Sequence, residues 1–195
     1  MIIEEKGLVK AIKAAYRHSG YTVLNQGGEV TIYTEGWFVR CLWTKLPRKA
    51  LAIIVEHMGM IPERDMPTSI IKDTEPQLVL RETAADDMDH WRGGDRGEEV
   101  TMVPVIMKGF QIYQPPGGGA CWGVPLYLVD MIERDPAEHI GADVIDKDRL
   151  LWEADGEAVV INAVRKACSG WAKEWERAVW NALEGVDLHK EEAGR

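Results

Sequence analysis

Between residues 21 and 43 the chain reads Tyr-Thr-Val-Leu-Asn, then Gln26-Gly27-Gly28, then Glu-Val-Thr-Ile-Tyr-Thr-Glu, then Gly36, then Trp-Phe-Val-Arg-Cys-Leu-Trp. Runs this rich in Tyr, Val, Ile and Thr suit a pleated surface. Gly27 and Gly28 supply the positive φ that a tight turn requires. Strands joined by so short a connection pair antiparallel. The stretch therefore predicts a hairpin over 21–25 and 29–35 with a third strand over 37–43, and it commits the chain to an antiparallel sheet.

Helical patterns flank it. Over 5–19, Leu8, Ile12, Ala15 and Tyr16 fall at helical spacing with Lys10, Lys13 and Arg17 opposite, and Gly20 ends the run. Pro47 suits the first turn of a second helix, whose Leu51, Ile54, Val55 and Met58 form one stripe up to Gly59. His18 and His57 both lie where a helix C-terminus favours a cation. Pro62 and Pro67 mark a connection, and 77–81 reads as a short strand. Residues 82–99 hold seven acids and two arginines around Gly94 and Gly97, an exposed acidic loop by composition. Strands follow over 100–107, where Pro104 favours a sheet edge, and over 110–114. Pro115-Pro116-Gly117-Gly118-Gly119 is a loop. Asp135-Pro136-Ala137-Glu138 has capping-box spacing and predicts a short helix ending at Gly141. After Asp155-Gly156, the residues Ile161, Val164, Cys168, Trp171, Trp175, Ala178 and Ala182 alternate spacings of three and four, which predicts one long helix with Gly170 inside it. The expected fold is α+β: a small antiparallel sheet with flanking helices and a long C-terminal amphipathic helix, in a single composite domain over 1–195 with an exposed acidic loop at 82–99.

Composition sets the bounds. The 195 residues are 46% hydrophobic and 28% charged, an ordinary globular mix. The longest purely apolar run, 50–55, falls far short of the ~20 residues that span a bilayer. Met1-Ile2-Ile3-Glu4-Glu5 is acidic where a secretory signal carries positive charge. Cys41, Cys121 and Cys168 are an odd number with no CxxC pair, which fits reduced thiols and a cytoplasmic location without a membrane partner. The net charge of -9 is uneven: residues 1–80 carry ten Lys/Arg against nine Asp/Glu, and residues 81–195 carry 13 against 23. Such acidity repels phosphate backbones and favours a basic protein surface as partner. Eight Trp beside two Phe supply core fillers or interface anchors.

Four groups of residues carry candidate chemistry. Gly119-Ala120-Cys121-Trp122 places a thiol beside a glycine turn, as a nucleophile needs, with His139 the nearest downstream imidazole and His189 the other. Asp86, Asp87, Asp89 and His90 gather the ligand types of a divalent cation, without EF-hand or His-x-x-His spacing. Arg40, Lys45, Arg48 and Lys49, beside Trp43, form a basic run that could touch nucleic acid, a contact the overall acidity disfavours. Asp143, Asp146, Asp148, Glu153 and Asp155 surround Trp152, so carboxylates for a basic groove sit with an apolar anchor. Neither Gly117-Gly118-Gly119 nor Gly27-Gly28 continues into a phosphate-binding motif, and no cofactor is expected.

Gly119-Ala120-Cys121-Trp122 resembles the nucleophile segment of papain-like and transglutaminase-like enzymes, although the upstream Gln has only Gln114 to stand for it. Residues 43–63, from Trp43-Thr44-Lys45-Leu46-Pro47 through His57-Met58-Gly59 to Pro62-Glu63, resemble segments of uncharacterised small proteins encoded by phages and prophages of anaerobic bacteria. That resemblance implies a mobile-element accessory protein, a category that includes inhibitors of host defence nucleases. The sequence alone thus favours a non-enzymatic, acidic protein-binding module that inhibits a host nucleic-acid-binding or defence protein. The second reading is a cysteine-dependent hydrolase or transferase using Cys121.

Overall fold

The computed structural model describes residues 1–133, 141–165 and 173–190. In chain order the elements are α1 (Glu5–His18), β1 (Tyr21–Gln26), β2 (Glu29–Tyr33), β3 (Trp37–Leu42), α2 (Arg48–Met58), β4 (Thr68–Ile70), β5 (Gln77–Leu78), α3 (Arg81–Arg92), β6 (Arg96–Met107), β7 (Phe110–Gln114), β8 (Trp122–Pro125), α4 (Leu126–Val129), β9 (Ala142–Ile145), β10 (Arg149–Ala154), β11 (Glu157–Asn162) and α5 (Glu174–Glu184). The strands form an antiparallel sheet of 11 in the order β5-β4-β1-β2-β3-β11-β10-β9-β6-β7-β8. The small sheet expected from the sequence is therefore corrected to one that runs through the whole molecule.

The meander β1-β2-β3 forms as its turn residues dictate: Gln26 pairs with Glu29 across Gly27 and Gly28, at φ 64° and 86°. The same device recurs twice. Met107 pairs with Phe110 across Lys108 and Gly109, at φ 49° and 83°. Ala154 pairs with Glu157 across Asp155 and Gly156, at φ 51° and 77°. Positive φ at both loop positions matches the right-handed twist of the flanking strands.

The last of these turns breaks the expected long C-terminal helix. Ile161 lies in β11, Val164 bridges to Gly123 of β8, and the next helix among the described residues is α5, with 11 residues. Cys168, Gly170 and Trp171 fall outside the described residues, as does the helix expected over 135–141. Residues 82–99 contain most of α3 and the start of β6.

Side chains alternate between two buried faces. Val23, Ile32, Val39, Leu150, Trp152, Val159 and Ile161 join one core with Leu8, Ala11 and Ile12 of α1 and Ala50, Ile54 and Met58 of α2. Their neighbours Leu24, Tyr33, Phe38, Leu151, Ala158 and Val160 face Met88 and Trp91 of α3. A sheet covered on both faces reads as apolar runs rather than polar alternation. Trp180 of α5 fills a third cluster with Val103, Ile112 and Cys121. Among the described residues no helix is long and apolar enough to cross a membrane.

Candidate nucleic-acid interface

Helix α1 is anchored at its start. The Glu4 carboxylate accepts from the Gly7 amide at 2.6 Å, and the Glu4 amide donates to the Met131 carbonyl at 2.8 Å. Leu8, Ala11, Ile12 and Ala15 turn inward, so Lys6, Lys10, Lys13 and Arg17 are left exposed along the other side. Spacings of four, three and four residues align these four cations in one row, since side chains three and four apart share a helix face. Helix α2 packs beside α1 and adds exposed Arg48 and Lys49.

Three carboxylates offset part of this charge. Lys10 pairs with Asp130 at 3.3 Å, and Lys49 pairs with Glu5 at 2.9 Å, both pairs largely in solvent. The Lys49 ammonium and then its amide hold the Glu5 carboxyl below its ordinary pKa. Glu56 is exposed on α2. Lys6, Lys13 and Arg17 join no ion pair among the described residues. Between the helices, the His57 ring stacks on Tyr16 with centroids 3.7 Å apart, and its Nδ1 lies 3.1 Å from the Tyr21 hydroxyl. Burial, opposed by Glu56 and reinforced by Lys13, lowers the His57 pKa. His57 is thus a packing residue between α1 and α2 rather than a helix-end cation.

The structure splits the basic run read from the sequence. Arg48 and Lys49 join the cationic face, whereas Lys45 donates to the Asp155 carbonyl at 2.7 Å and Arg40, on β3, pairs with Glu153 at 3.1 Å. Three of the five carboxylates expected to meet a partner are ion-paired within the fold instead. Arg96 bonds both Asp143, at 3.2 Å, and Glu153. Asp146 pairs with Arg149, and Asp155 occupies the β10-β11 turn. Asp148 is exposed, and its carbonyl accepts from the Ala163 amide at 2.6 Å. Trp152 is 1% exposed and packs edge-on to Tyr113, so it anchors the core.

Cys121 is fully buried. Its Sγ lies 3.5 Å from Gln114 Nε2, and burial followed by the Glu184 carboxylate pushes its thiol up to about 11. That is the environment of an inert packing cysteine. His189 sits with its Nε2 3.0 Å from the Gln114 carbonyl, and His139 lies outside the described residues. Asp86 and Asp89 are exposed on α3, while Asp87 and His90 face a polar pocket. Among the described residues no group of three side chains could hold a metal ion.

No family model matches the chain, and no curated protein matches it. Solved structures do. A putative DNA polymerase III beta subunit from Eubacterium rectale shares 10% identity over 91% of this chain and 67% of its own, with a TM-score of 0.39. A DNA polymerase III beta sliding clamp from Bartonella birtlesii shares 11%, over 91% and 67%, at 0.34. The sliding clamp of Bacillus subtilis shares 7%, over 100% and 75%, at 0.32. Asp143, Asp146 and Glu153 are ion-paired within the fold and the Cys121 thiol is buried, which overturns the reading of an acidic module that meets a basic protein surface through these carboxylates and its alternative of a cysteine-dependent hydrolase or transferase using Cys121.

The cationic row on α1 was half-legible: Lys10, Lys13 and Arg17 stand out as the polar side of an amphipathic helix. Its union with Arg48 and Lys49 is a tertiary contact that no local pattern announces.

Proposed function

We propose that the protein binds the phosphate backbone of double-stranded nucleic acid through the joint face of α1 and α2. The observation that carries this is the exposed row Lys6, Lys10, Lys13 and Arg17 in a chain of net charge -9. At 1.5 Å per residue the row extends about 16 Å, long enough to meet several successive phosphates. Acidic surface elsewhere repels the same polyanion and orients the approach. Lysine ammonium groups on an exposed helix contact phosphates rather than base edges, so binding is independent of sequence. A cytoplasmic location, where free Cys41 and Cys121 stay reduced, suits this role.

Fluorescence anisotropy on a labelled duplex, titrated across salt concentrations, tests it. If about four phosphates are neutralised, log K should fall linearly with log salt at a slope near -3.6. Lys10→Glu with Lys13→Glu should weaken binding about tenfold or more and flatten the slope by roughly 2. Absence of duplex binding at low salt, or a double variant that binds like the parent, would overturn the proposal.

A further inference from the structure

Helices α1 and α2 lie side by side and run in the same direction. At their starts Lys49 pairs with Glu5 at 2.9 Å, and at their ends the His57 ring stacks on Tyr16 with the two planes 9° apart. Between these contacts Val9 and Ile53 are both half-buried against the main core. Tyr16 is three residues from Lys13 and next to Arg17, so the imidazole sits in the seam of the face that carries the cationic row.

Tyr21 reaches this seam from β1 beneath it. The residue is 2% exposed, and among the described residues its hydroxyl meets His57 Nδ1, at 3.1 Å, and no other hydrogen-bonding group. Burial, then Tyr16, raises the Tyr21 pKa, so the phenol keeps its proton. A buried hydroxyl proton without an acceptor is costly, and Nδ1 is the acceptor within reach. The imidazole is therefore neutral with its own proton on Nε2. The two nitrogens lie on opposite sides of the ring, which turns Nε2–H away from Tyr21 and the sheet. Nε2 joins no hydrogen bond among the described residues, and the ring is only half-buried. The charges that act on it are Lys13 on α1 and Glu56 on α2; burial outweighs both and favours the neutral form.

We propose that His57 touches phosphate in the bound duplex: its Nε2–H donates to a phosphate oxygen over the α1-α2 seam, beside Lys13. This rests on the duplex-binding reading and adds a contact that is uncharged at neutral pH and becomes cationic in acid. A phosphate against Nε2 favours the imidazolium. Binding then takes up a proton, and by linkage the duplex is held more tightly as pH falls from the bound toward the free pKa of His57.

Fluorescence anisotropy on a labelled duplex at about pH 7.5 and 5.5, with the whole chain and with His57→Phe and His57→Gln, tests it. At the higher pH His57→Phe, whose ring can still stack on Tyr16, should weaken binding about threefold to tenfold. Its salt slope should stay that of the parent, because a neutral donor displaces no counterion, whereas the lysine reversals flatten the slope. At the lower pH the parent's slope should steepen by about 0.9 more than that of either variant, a comparison that removes the contribution of exposed His18. NMR titration of the parent's histidine ring protons needs no variant to fold. The His57 pKa should move upward on saturation with duplex, while that of His90, on α3 across the sheet, stays in place. Melting temperatures at both pH values show which variants are folded. If duplex binds and the His57 pKa does not move, or folded variants keep the parent's affinity and slopes, this inference fails and the duplex-binding reading stands. If no duplex binds, both fall.

Discussion

Gly7 sits where α1 crosses the end of α4, and a Cβ there would lie 1.7 Å from the Asp130 carbonyl oxygen and 2.1 Å from its carbon. Backbone cannot yield as a flexible side chain does, so Gly7→Ala should separate α1 from α4. Overpacking of this kind costs about 1–3 kcal/mol or more, and urea denaturation should read the loss as a lower midpoint. The cationic row rides on the same helix, so duplex affinity should fall with stability in this variant, whereas the lysine reversals should spare stability. Cys121 gives a second expectation. With its thiol pushed up to about 11, almost no thiolate exists at neutral pH, and iodoacetamide should label it slowly in the folded protein until pH rises well above 9. Peptide mass spectrometry after timed labelling checks this, and rapid neutral-pH alkylation would contradict the buried placement.

Besides the packing of Trp180, one side-chain amide ties down the end of helix α5. Gln114 Nε2 donates to the Gly119, Leu183 and Val186 carbonyls at 3.1, 3.3 and 2.9 Å, and its Oε1 accepts from Leu188 at 2.9 Å. Gln114→Ala should cost about 1–3 kcal/mol and raise hydrogen exchange over 174–190 before the sheet responds. The turn between β10 and β11 is equally specific. Gly156→Ala forces an L residue to φ 77°, costing about 1–2 kcal/mol, measurable by thermal denaturation. These two elements show what sequence conveys and conceals. The strands at 21–43 are legible because Gly27-Gly28 interrupts runs of β-branched and aromatic residues. Asp155-Gly156 is the same signal, yet Glu157–Asn162 is buried on both faces, which erases period two and lets Ile161 and Val164 fall into a helical spacing. Register is less legible still: Thr22 and Tyr33 meet within the predicted hairpin, but Ser69 joins them only when β4 pairs with β1. Asp143 and Glu153 looked available because the arginines that pair with them, Arg40 and Arg96, lie far away in sequence.

Across the whole molecule the sheet has one joint unlike the others. Most neighbouring strands are hairpin partners or lie close in sequence, but β3 pairs with β11, matching Arg40 to Ala158 and Val39 to Val159. Closing that span of about 118 residues costs roughly 4 kcal/mol of chain entropy before any contact repays it. The order of assembly follows: β1-β2-β3 and β9-β10-β11 zip locally, and the joint closes late. Val39→Ala and Val159→Ala should therefore speed unfolding far more than they slow folding, with φ-values near zero in stopped-flow chevrons. Until the joint closes, β3 and β11 are bare edges, each flanked by apolar faces, and a bare edge accepts a strand from any other chain. Refolding yield should then drop as protein concentration rises, while molecules already folded remain dispersed at that same concentration; the vulnerability belongs to the moment of assembly, not to the finished structure.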